Sequence, residues 1–114
     1  MRWARRCTRA RKREGAHQIG GVMALLNEDQ IQEQLARLPD WTRQGASITN
    51  VRKLGGFSTA MLYASAVGFL AESANHHPDI LIQWDTVTLT LSTHSAGGLT
   101  EADFALAGQI SELA

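Results

Sequence analysis

Three histidines in the second half of the chain are its strongest candidates for chemistry. His76 and His77 are adjacent, and His94 follows a predicted strand further on. An imidazole titrates near neutral pH, so these side chains suit general acid–base catalysis. Glu72 lies one helical turn before His76, so we expect its carboxylate to reach that ring and fix its tautomer. The sequence therefore predicts an acid–base site built on histidine.

Two other interpretations of these histidines stay open at this point. A single histidine at the end of a helix is commonly a cap or a solvated residue. Three histidines are also the ligand set of some catalytic zinc sites. Zinc is the weaker interpretation, because the adjacent side chains of His76 and His77 diverge and the sequence has no His-x-x-x-His spacing. We therefore expect no bound metal.

Helical segments must position these residues, and the first two have clear sequence signals. Asn27 is a predicted N-cap with Gln30 at the third helical position, and Pro39 ends the segment. Ser58 is the predicted cap of the second helix, which runs until Pro78. That helix carries an apolar stripe on one side, formed by Leu62, Ala66, Phe69 and Leu70.

The third helix begins after Thr100, its predicted N-cap, with Asp103 closing a capping box. Leu106, Ile110 and Leu113 form its predicted buried stripe. Capping alone is a sufficient explanation for Asp103, so its spacing does not by itself indicate a catalytic role.

The clearest predicted strand spans residues 86–92, where apolar residues alternate with threonine and serine. Residues 80–84 form the strand before it, with Asp85 as the turn. His94 continues the parity of the polar face, so we expect its side chain to point away from the core.

A first hairpin is predicted over residues 41–44 and 48–54, joined through Gly45. Trp41 and Trp84 are interpreted as residues that pack on the sheet rather than on a ligand. The resulting order, α-β-β-α-β-β-α, predicts an α+β sandwich of two layers, with a four-stranded antiparallel sheet and three helices on one face.

The 114 residues divide by charge into a basic arm and an acidic domain. Residues 1–21 hold seven of the eleven Lys and Arg residues and one acid, whereas the rest holds four bases and ten acids. Without apolar periodicity, residues 1–22 are expected to be a disordered extension before a folded domain at 23–114. The longest apolar stretch, residues 60–71, is too short to span a membrane, and the lone Cys7 excludes an intrachain disulfide.

Three short motifs occur in a specific order. They are Glu72 followed after three residues by His76-His77-Pro78, then Thr93-His94, then Gly98-Leu99-Thr100 with Asp103. At these intervals the sequence resembles the pterin-4a-carbinolamine dehydratases, also called 4a-hydroxytetrahydrobiopterin dehydratases. The resemblance covers residues 27–114.

The resemblance implies the same α+β fold and a specific reaction, the dehydration of 4a-hydroxytetrahydropterin to quinonoid dihydropterin in tetrahydrobiopterin recycling. It implies no metal or organic cofactor. By position, the implied catalytic residues are His76, His77, His94, Glu72 and Asp103, with Glu72 orienting or assisting His76. The implied substrate-binding residues are His76, His77, Pro78, Thr93, His94, Ser95 and Ala96.

Other proteins of this family serve as dimerisation cofactors of a transcription factor, so the alternative function is a non-enzymatic interaction protein with the same fold. We expect a cytoplasmic enzyme with a small pterin substrate, no membrane partner and no nucleic-acid partner. We also expect a homodimer or homotetramer, because a small sheet with helices on one face leaves its other face and its edges open.

Overall fold

The computed structural model describes residues 24–113 and arranges them in three helices and four strands. In chain order these elements are α1 (Glu28–Ala36), β1 (Thr42–Gln44), β2 (Ser47–Lys53), α2 (Phe57–Ala74), β3 (Asp79–Gln83), β4 (Thr86–Leu91) and α3 (Glu101–Ser111). This order confirms the α-β-β-α-β-β-α prediction. The predicted basic extension, residues 1–22, lies outside the described residues.

The four strands form one antiparallel sheet in the order β1-β2-β4-β3. On one side of β4, Leu91 pairs with Ile48 of β2. On its other side, Thr90 pairs with Asp79, the first residue of β3. The last residues of β4 therefore lie beside the start of β3, and the α2–β3 and β4–α3 connections leave the sheet at the same end.

The alternating pattern of β4 divides the sheet into a core face and an outer face. Val87, Leu89 and Leu91 are fully buried, while the threonines between them are half-buried. Val67 of α2 and Phe104 of α3 belong to the same core cluster. Burying one face of the sheet against all three helices is the main apolar contribution to this fold, and it confirms the predicted two-layer α+β architecture.

The cap of α1 is the one that the sequence predicts. Asn27 Oδ1 accepts a hydrogen bond from Gln30 N–H, and Gln30 Oε1 accepts one from Asn27 N–H, both at 2.8 Å. This reciprocal pair satisfies two backbone donors that the helix itself leaves without partners. The helix ends at Ala36, before Pro39.

The cap predicted for α2 is wrong. The helix begins at Phe57 with Gly56 in the N-cap position, so Ser58 lies inside its first turn. Gly56 has no side chain and makes no side-chain capping bond. Glycine is an acceptable N-cap residue, which is why a Ser next to it misled the prediction by two positions.

Only part of the apolar stripe predicted for α2 faces the core, since Leu70 packs against the core cluster. Leu62 and Phe69 are 72% and 73% exposed, whereas the buried side consists mainly of small residues. The buried residues of this helix are Ala60, Tyr63, Ala64, Val67 and Ala71. Because α2 is apolar on both sides, periodicity alone does not choose between them. No helix among the described residues is long and apolar enough to cross a membrane.

The two tryptophans of the sheet region have different environments. Trp41 is buried in the core, and its indole N–H donates to Ser111 Oγ at 2.9 Å. Trp84 is exposed and lies in the two-residue turn between β3 and β4, with a positive φ of 57°. The prediction that both tryptophans pack on the sheet is therefore confirmed for Trp41 and wrong for Trp84.

Candidate active site

The end of α2 places two histidines, His76 and His77, in the region beside β4. Asn75 follows the last helical residue in the left-handed conformation, with φ 53° and ψ 42°. His76 N–H then donates to Ala71 C=O at 3.0 Å, which closes the helix end. Asparagine tolerates this conformation better than most residues. The helix therefore ends at Ala74 rather than at Pro78, and both histidines lie outside it.

His76 is paired with Asp103 across the fold. Its Nε2 lies 2.6 Å from Asp103 Oδ1, which joins the end of α2 to the first turn of α3. An ionised carboxylate can only accept, so the hydrogen belongs to His76 Nε2. This leaves Nδ1 as the ring nitrogen not held by Asp103.

Glu72 is paired with His77, not with His76 as the spacing predicted. Its Oε1 lies 2.9 Å from His77 Nε2. The i, i+4 rule applies only while the helix continues. Because Asn75 reverses the backbone, His76 turns away toward α3 and His77 occupies the position near the Glu72 carboxylate. The expectation that Glu72 contacts and orients His76 is therefore wrong.

Asp103 is fully buried and accepts hydrogen bonds at both of its oxygens. Oδ2 accepts from the backbone N–H of Thr100 at 2.9 Å and from the hydroxyl of Thr93 at 2.8 Å. The cap predicted at Thr100 is confirmed. The same carboxylate thus caps α3 through Oδ2 and contacts His76 through Oδ1, so capping does not account for all of its contacts.

His94 is carried by a short loop that Thr93 organises. The carbonyl oxygen of Thr93 accepts from Ala96 N–H at 3.0 Å and from Gly97 N–H at 2.9 Å. Thr93 N–H in turn donates to Gly98 C=O at 2.8 Å. Gly97 has a φ of 78°, which a residue with a side chain rarely adopts. This tight turn presents His94, which is exposed, at the rim beside the end of β4.

These segments surround a cleft of about 250 Å³. Its lining residues are Asn75, His76, His77, Ser92, Thr93, His94 and Ser95. The structure therefore brings all three candidate histidines together. Of the residues expected to bind substrate, Pro78 and Ala96 are not in this lining.

Asn75 and Ser92 line the cleft, although the sequence analysis did not single them out. Each had a usable signal. Asn is favoured in the left-handed position at a helix C-terminus, and Ser92 shares the parity of His94 on the outer face of β4. Both present uncharged polar groups beside the histidines.

The described residues contain no group of three or more His, Cys, Asp or Glu side chains suited to hold a metal ion. The Nε2 atoms of His76 and His77 face two different carboxylates. The three imidazoles therefore share a cleft without converging on one point.

The pKa shifts resolved among the described residues belong to groups outside the cleft. Burial raises the pKa of Tyr63, against a smaller opposing effect of the Arg52 guanidinium, which lies over its ring. A hydrogen bond from Arg43 lowers the pKa of Glu28, and the same bond raises the pKa of Arg43. None of these residues lines the cleft.

Fold and cleft together define a small α+β protein with a histidine-lined pocket at one end of an antiparallel sheet. A family model described as pterin 4 alpha carbinolamine dehydratase matches residues 24–113. The chain belongs to the pterin 4 alpha carbinolamine dehydratase family.

Relatives in bacteria agree with this assignment. A protein of Roseiflexus castenholzii is 54% identical over 92 residues, which cover 81% of this chain and 99% of that protein. A protein of Nocardia farcinica is 53% identical over 90 residues, which cover 79% of this chain and 95% of that protein. Both are provisionally named pterin-4-alpha-carbinolamine dehydratases.

Two solved structures are similar to the fold. One, from Brucella melitensis, is described as a transcriptional coactivator/pterin dehydratase; it has a TM-score of 0.74 at 32% identity and covers 77% of this chain and 96% of that chain. The other is a pterin dehydratase-like protein described as a RuBisCO assembly factor in the alpha-carboxysome. Its TM-score is 0.53 at 24% identity, covering 62% of this chain and 84% of that chain, so the likeness is one of fold.

Proposed function

We propose that this chain catalyses the dehydration of 4a-hydroxytetrahydropterin to quinonoid dihydropterin, a step in recycling tetrahydrobiopterin. One observation carries the proposal. Two imidazoles, His76 and His77, have Nε2 held by a carboxylate, and a third, His94, lines the same cleft. Membership of the family supports a pterin as the substrate class. The cleft is concave and lined by a few convergent polar groups, as sites for small molecules are.

The reaction needs two proton transfers. The bond between C4a and its hydroxyl oxygen breaks, and a proton from an imidazolium lets that oxygen leave as water. The ring nitrogen next to C4a loses its proton to a neutral imidazole, and a carbon–nitrogen double bond forms between the two atoms. One acid and one base near neutral pH therefore supply all the chemistry.

The carboxylates define how the histidines take part. With Nε2 held by Asp103 or Glu72, the Nδ1 atoms of His76 and His77 are the positions that exchange protons with substrate. In the proposal one of these two rings protonates the leaving hydroxyl. His94, which lines the same cleft, holds the pterin ring or removes its nitrogen-bound proton.

The direct test is stopped-flow measurement of the dehydration of a 4a-hydroxytetrahydropterin by the purified full chain. We expect quinonoid dihydropterin to form faster in proportion to protein concentration. His94→Ala should abolish most of the acceleration. Glu33→Gln, a change on the exposed side of α1, is the matched control and should keep it. A wild-type rate equal to the uncatalysed rate would contradict the proposal.

The alternative, an interaction protein without catalytic activity, has support only from relatives. The Brucella melitensis structure is described both as a transcriptional coactivator and as a pterin dehydratase. An interaction role does not require Asp103 to be buried against His76, and this is why we favour the enzyme. The stopped-flow experiment separates the two functions, since only an enzyme accelerates the reaction.

We further propose that the chain forms a homodimer or homotetramer through the exposed apolar side of α2. The exposed residues of that side include Phe57, Met61, Leu62 and Phe69. Glu72 is the only charged residue in α2. An uncharged apolar surface of this kind is stabilised by contact with a similar surface, and a second copy of the chain supplies one.

Sedimentation at micromolar concentration tests this oligomer. We expect a dimer or tetramer for the wild type and a shift toward monomer for Leu62→Glu combined with Phe69→Glu. Val51→Glu, on the outer face of the sheet, is the matched control, because Val51 is also exposed and apolar. A monomeric wild type would contradict the proposed oligomer. If Val51→Glu dissociates the oligomer and the α2 double variant does not, the contact between subunits lies on the sheet and the proposed interface is wrong.

A further inference from the structure

Two buried threonines stand behind the His76–Asp103 pair. Thr93 follows β4 and Thr100 precedes α3, and both side chains are buried beside Asp103. The hydroxyl of Thr93 lies 2.8 Å from Asp103 Oδ2 and 2.7 Å from the hydroxyl of Thr100. The Thr100 side chain also caps α3. The hydroxyl of Thr93 builds neither a sheet nor a helix, so its presence in a buried position requires a reason.

The hydrogen bonds of this cluster have a defined direction. A carboxylate only accepts, so Thr93 donates its single hydroxyl hydrogen to Asp103. The oxygen of Thr93 then accepts from the hydroxyl of Thr100. The chain of donors runs from Thr100 through Thr93 to Asp103 Oδ2, which also accepts the backbone N–H of Thr100. Two donors on Oδ2 fix the plane of the carboxylate and leave Oδ1 for His76.

Thr93 also belongs to the segment that carries another candidate catalytic residue. Its carbonyl oxygen organises the turn that presents His94. One residue is therefore bonded through its side chain to the carboxylate that holds His76 and through its backbone to the loop of His94. Thr93 thus links Asp103, and through it His76, to the loop of His94.

We propose that Thr93 and Thr100 are positioning residues for the reaction proposed above. Through Asp103 they keep His76 in the tautomer with hydrogen on Nε2, and Thr93 keeps its ring at a fixed distance from His94. The proposal rests on the proposed dehydratase function for its kinetic consequences. The tautomer of His76 does not depend on that function.

The first test is Thr93→Val, which preserves the shape of the side chain and removes the donor. We expect kcat to fall by about 10- to 100-fold, the range for losing one hydrogen bond to a charged group, with KM changed less than about twofold. Thr93→Ser restores the hydroxyl and should recover most of kcat. Thr100→Val should have a smaller effect, because it leaves the bond between Thr93 and Asp103 in place.

The control is Thr88→Val, the same substitution in β4 on the outer face of the sheet, where the hydroxyl is outside the cluster. It should leave kcat unchanged. Equal losses of kcat in Thr88→Val and Thr93→Val would mean that the effect is one of general stability, and they would overturn the positioning role.

The second test is nitrogen NMR of isotope-labelled histidine, which distinguishes the two neutral tautomers of His76. We expect one tautomer, protonated on Nε2, in the wild type and a mixture in Thr93→Val. An unchanged tautomer together with wild-type kcat would overturn the proposal. If the wild type has no dehydratase activity, the proposed function fails, while the NMR result still decides whether the threonines position His76.

Discussion

The cleft contains two histidine–carboxylate pairs of the same chemical type in contrasting environments. In the first, the side chains of His76 and Asp103 are 14% and 0% exposed. In the second, those of His77 and Glu72 are 59% and 80% exposed. A hydrogen bond in a protein interior is electrostatically stronger than one at a surface, where water competes for both partners. The comparison indicates that the first pair is a fixed part of the structure and the second an adjustable part of the surface.

The carboxylate of the buried pair also has further hydrogen-bond partners among the described residues, whereas the carboxylate of the exposed pair does not. Asp103 accepts from Thr93 and from the backbone of Thr100 in addition to His76. A buried carboxylate without such donors would strongly destabilise the fold. Glu72 has water as an alternative partner, so breaking its contact with His77 has little cost. Substitutions in the two pairs should therefore differ in kind, and four predictions follow in order of decreasing effect.

The largest effect is expected for Asp103→Ala. It leaves the hydroxyl of Thr93, the N–H of Thr100 and the ring of His76 without their acceptor. We expect a loss of about 3–5 kcal/mol in the free energy of unfolding, since each buried donor left without an acceptor costs about 1–3 kcal/mol. Turnover should fall toward the upper end of the 10²–10⁴-fold range. Chemical denaturation and stopped-flow kinetics measure the two quantities.

Asp103→Asn refines this prediction. Asparagine keeps an oxygen for the donors at Thr93 and Thr100, so folding should be affected less than by alanine. Its amide group does not replace the anionic oxygen that faces His76, so turnover should still fall. Full activity in Asp103→Asn would show that Asp103 serves only as a cap and would remove the functional contrast between the two pairs.

A large kinetic effect with a small effect on folding is expected for His77→Ala and His94→Ala. Both side chains are exposed at the rim, where substitutions typically change stability by less than about 0.5 kcal/mol. Turnover should fall by about 10²–10⁴-fold if each ring acts in proton transfer. Thermal unfolding curves that match the wild type, together with this loss of turnover, would support the role. Unchanged turnover would exclude it.

A smaller effect is expected for Glu72→Gln. Exposed ion pairs contribute about 0.2–1 kcal/mol, which corresponds to at most about a fivefold change in turnover. Stability should not change measurably. A loss of turnover as large as that of Asp103→Asn would contradict the contrast between the two pairs, because the exposed carboxylate would then matter to catalysis as much as the buried one.

The smallest effect is expected for removal of metal. If the three histidines transfer protons, chelation with EDTA should leave turnover unchanged, and elemental analysis should find no stoichiometric metal. Activity that disappears with EDTA and returns with zinc would replace the acid–base mechanism with a metal-assisted one.

Local signals in the sequence were sufficient to predict most of the fold. The capping residues Asn27 and Thr100 mark the starts of α1 and α3, and the alternation in β4 marks a half-buried strand. These features depend on neighbours only a few residues away, which is why the order of elements was predicted correctly. The start of α2 was predicted wrongly because Gly56 and Ser58 are both acceptable caps and local sequence does not rank them.

The candidate site was predictable as a set of residues but not as a set of contacts. The three histidines and Asp103 follow from their positions at the ends of elements and from the family resemblance. The pairing of Asp103 with His76 and of Glu72 with His77 could not be predicted from the sequence. It depends on the left-handed turn at Asn75 and on where α3 packs.

The sequence by itself therefore determined the order of the elements, the three histidines of the cleft and the family of this protein, because each rests on residue type and short-range spacing. Only the tertiary structure decided which carboxylate holds which histidine, that Thr93 and Thr100 support Asp103, and which apolar side of α2 stays exposed. The physical reason is the same in each case. These outcomes depend on how the backbone turns at Asn75 and on how the ends of α2, β4 and α3 pack together, which residue type and short-range spacing do not specify.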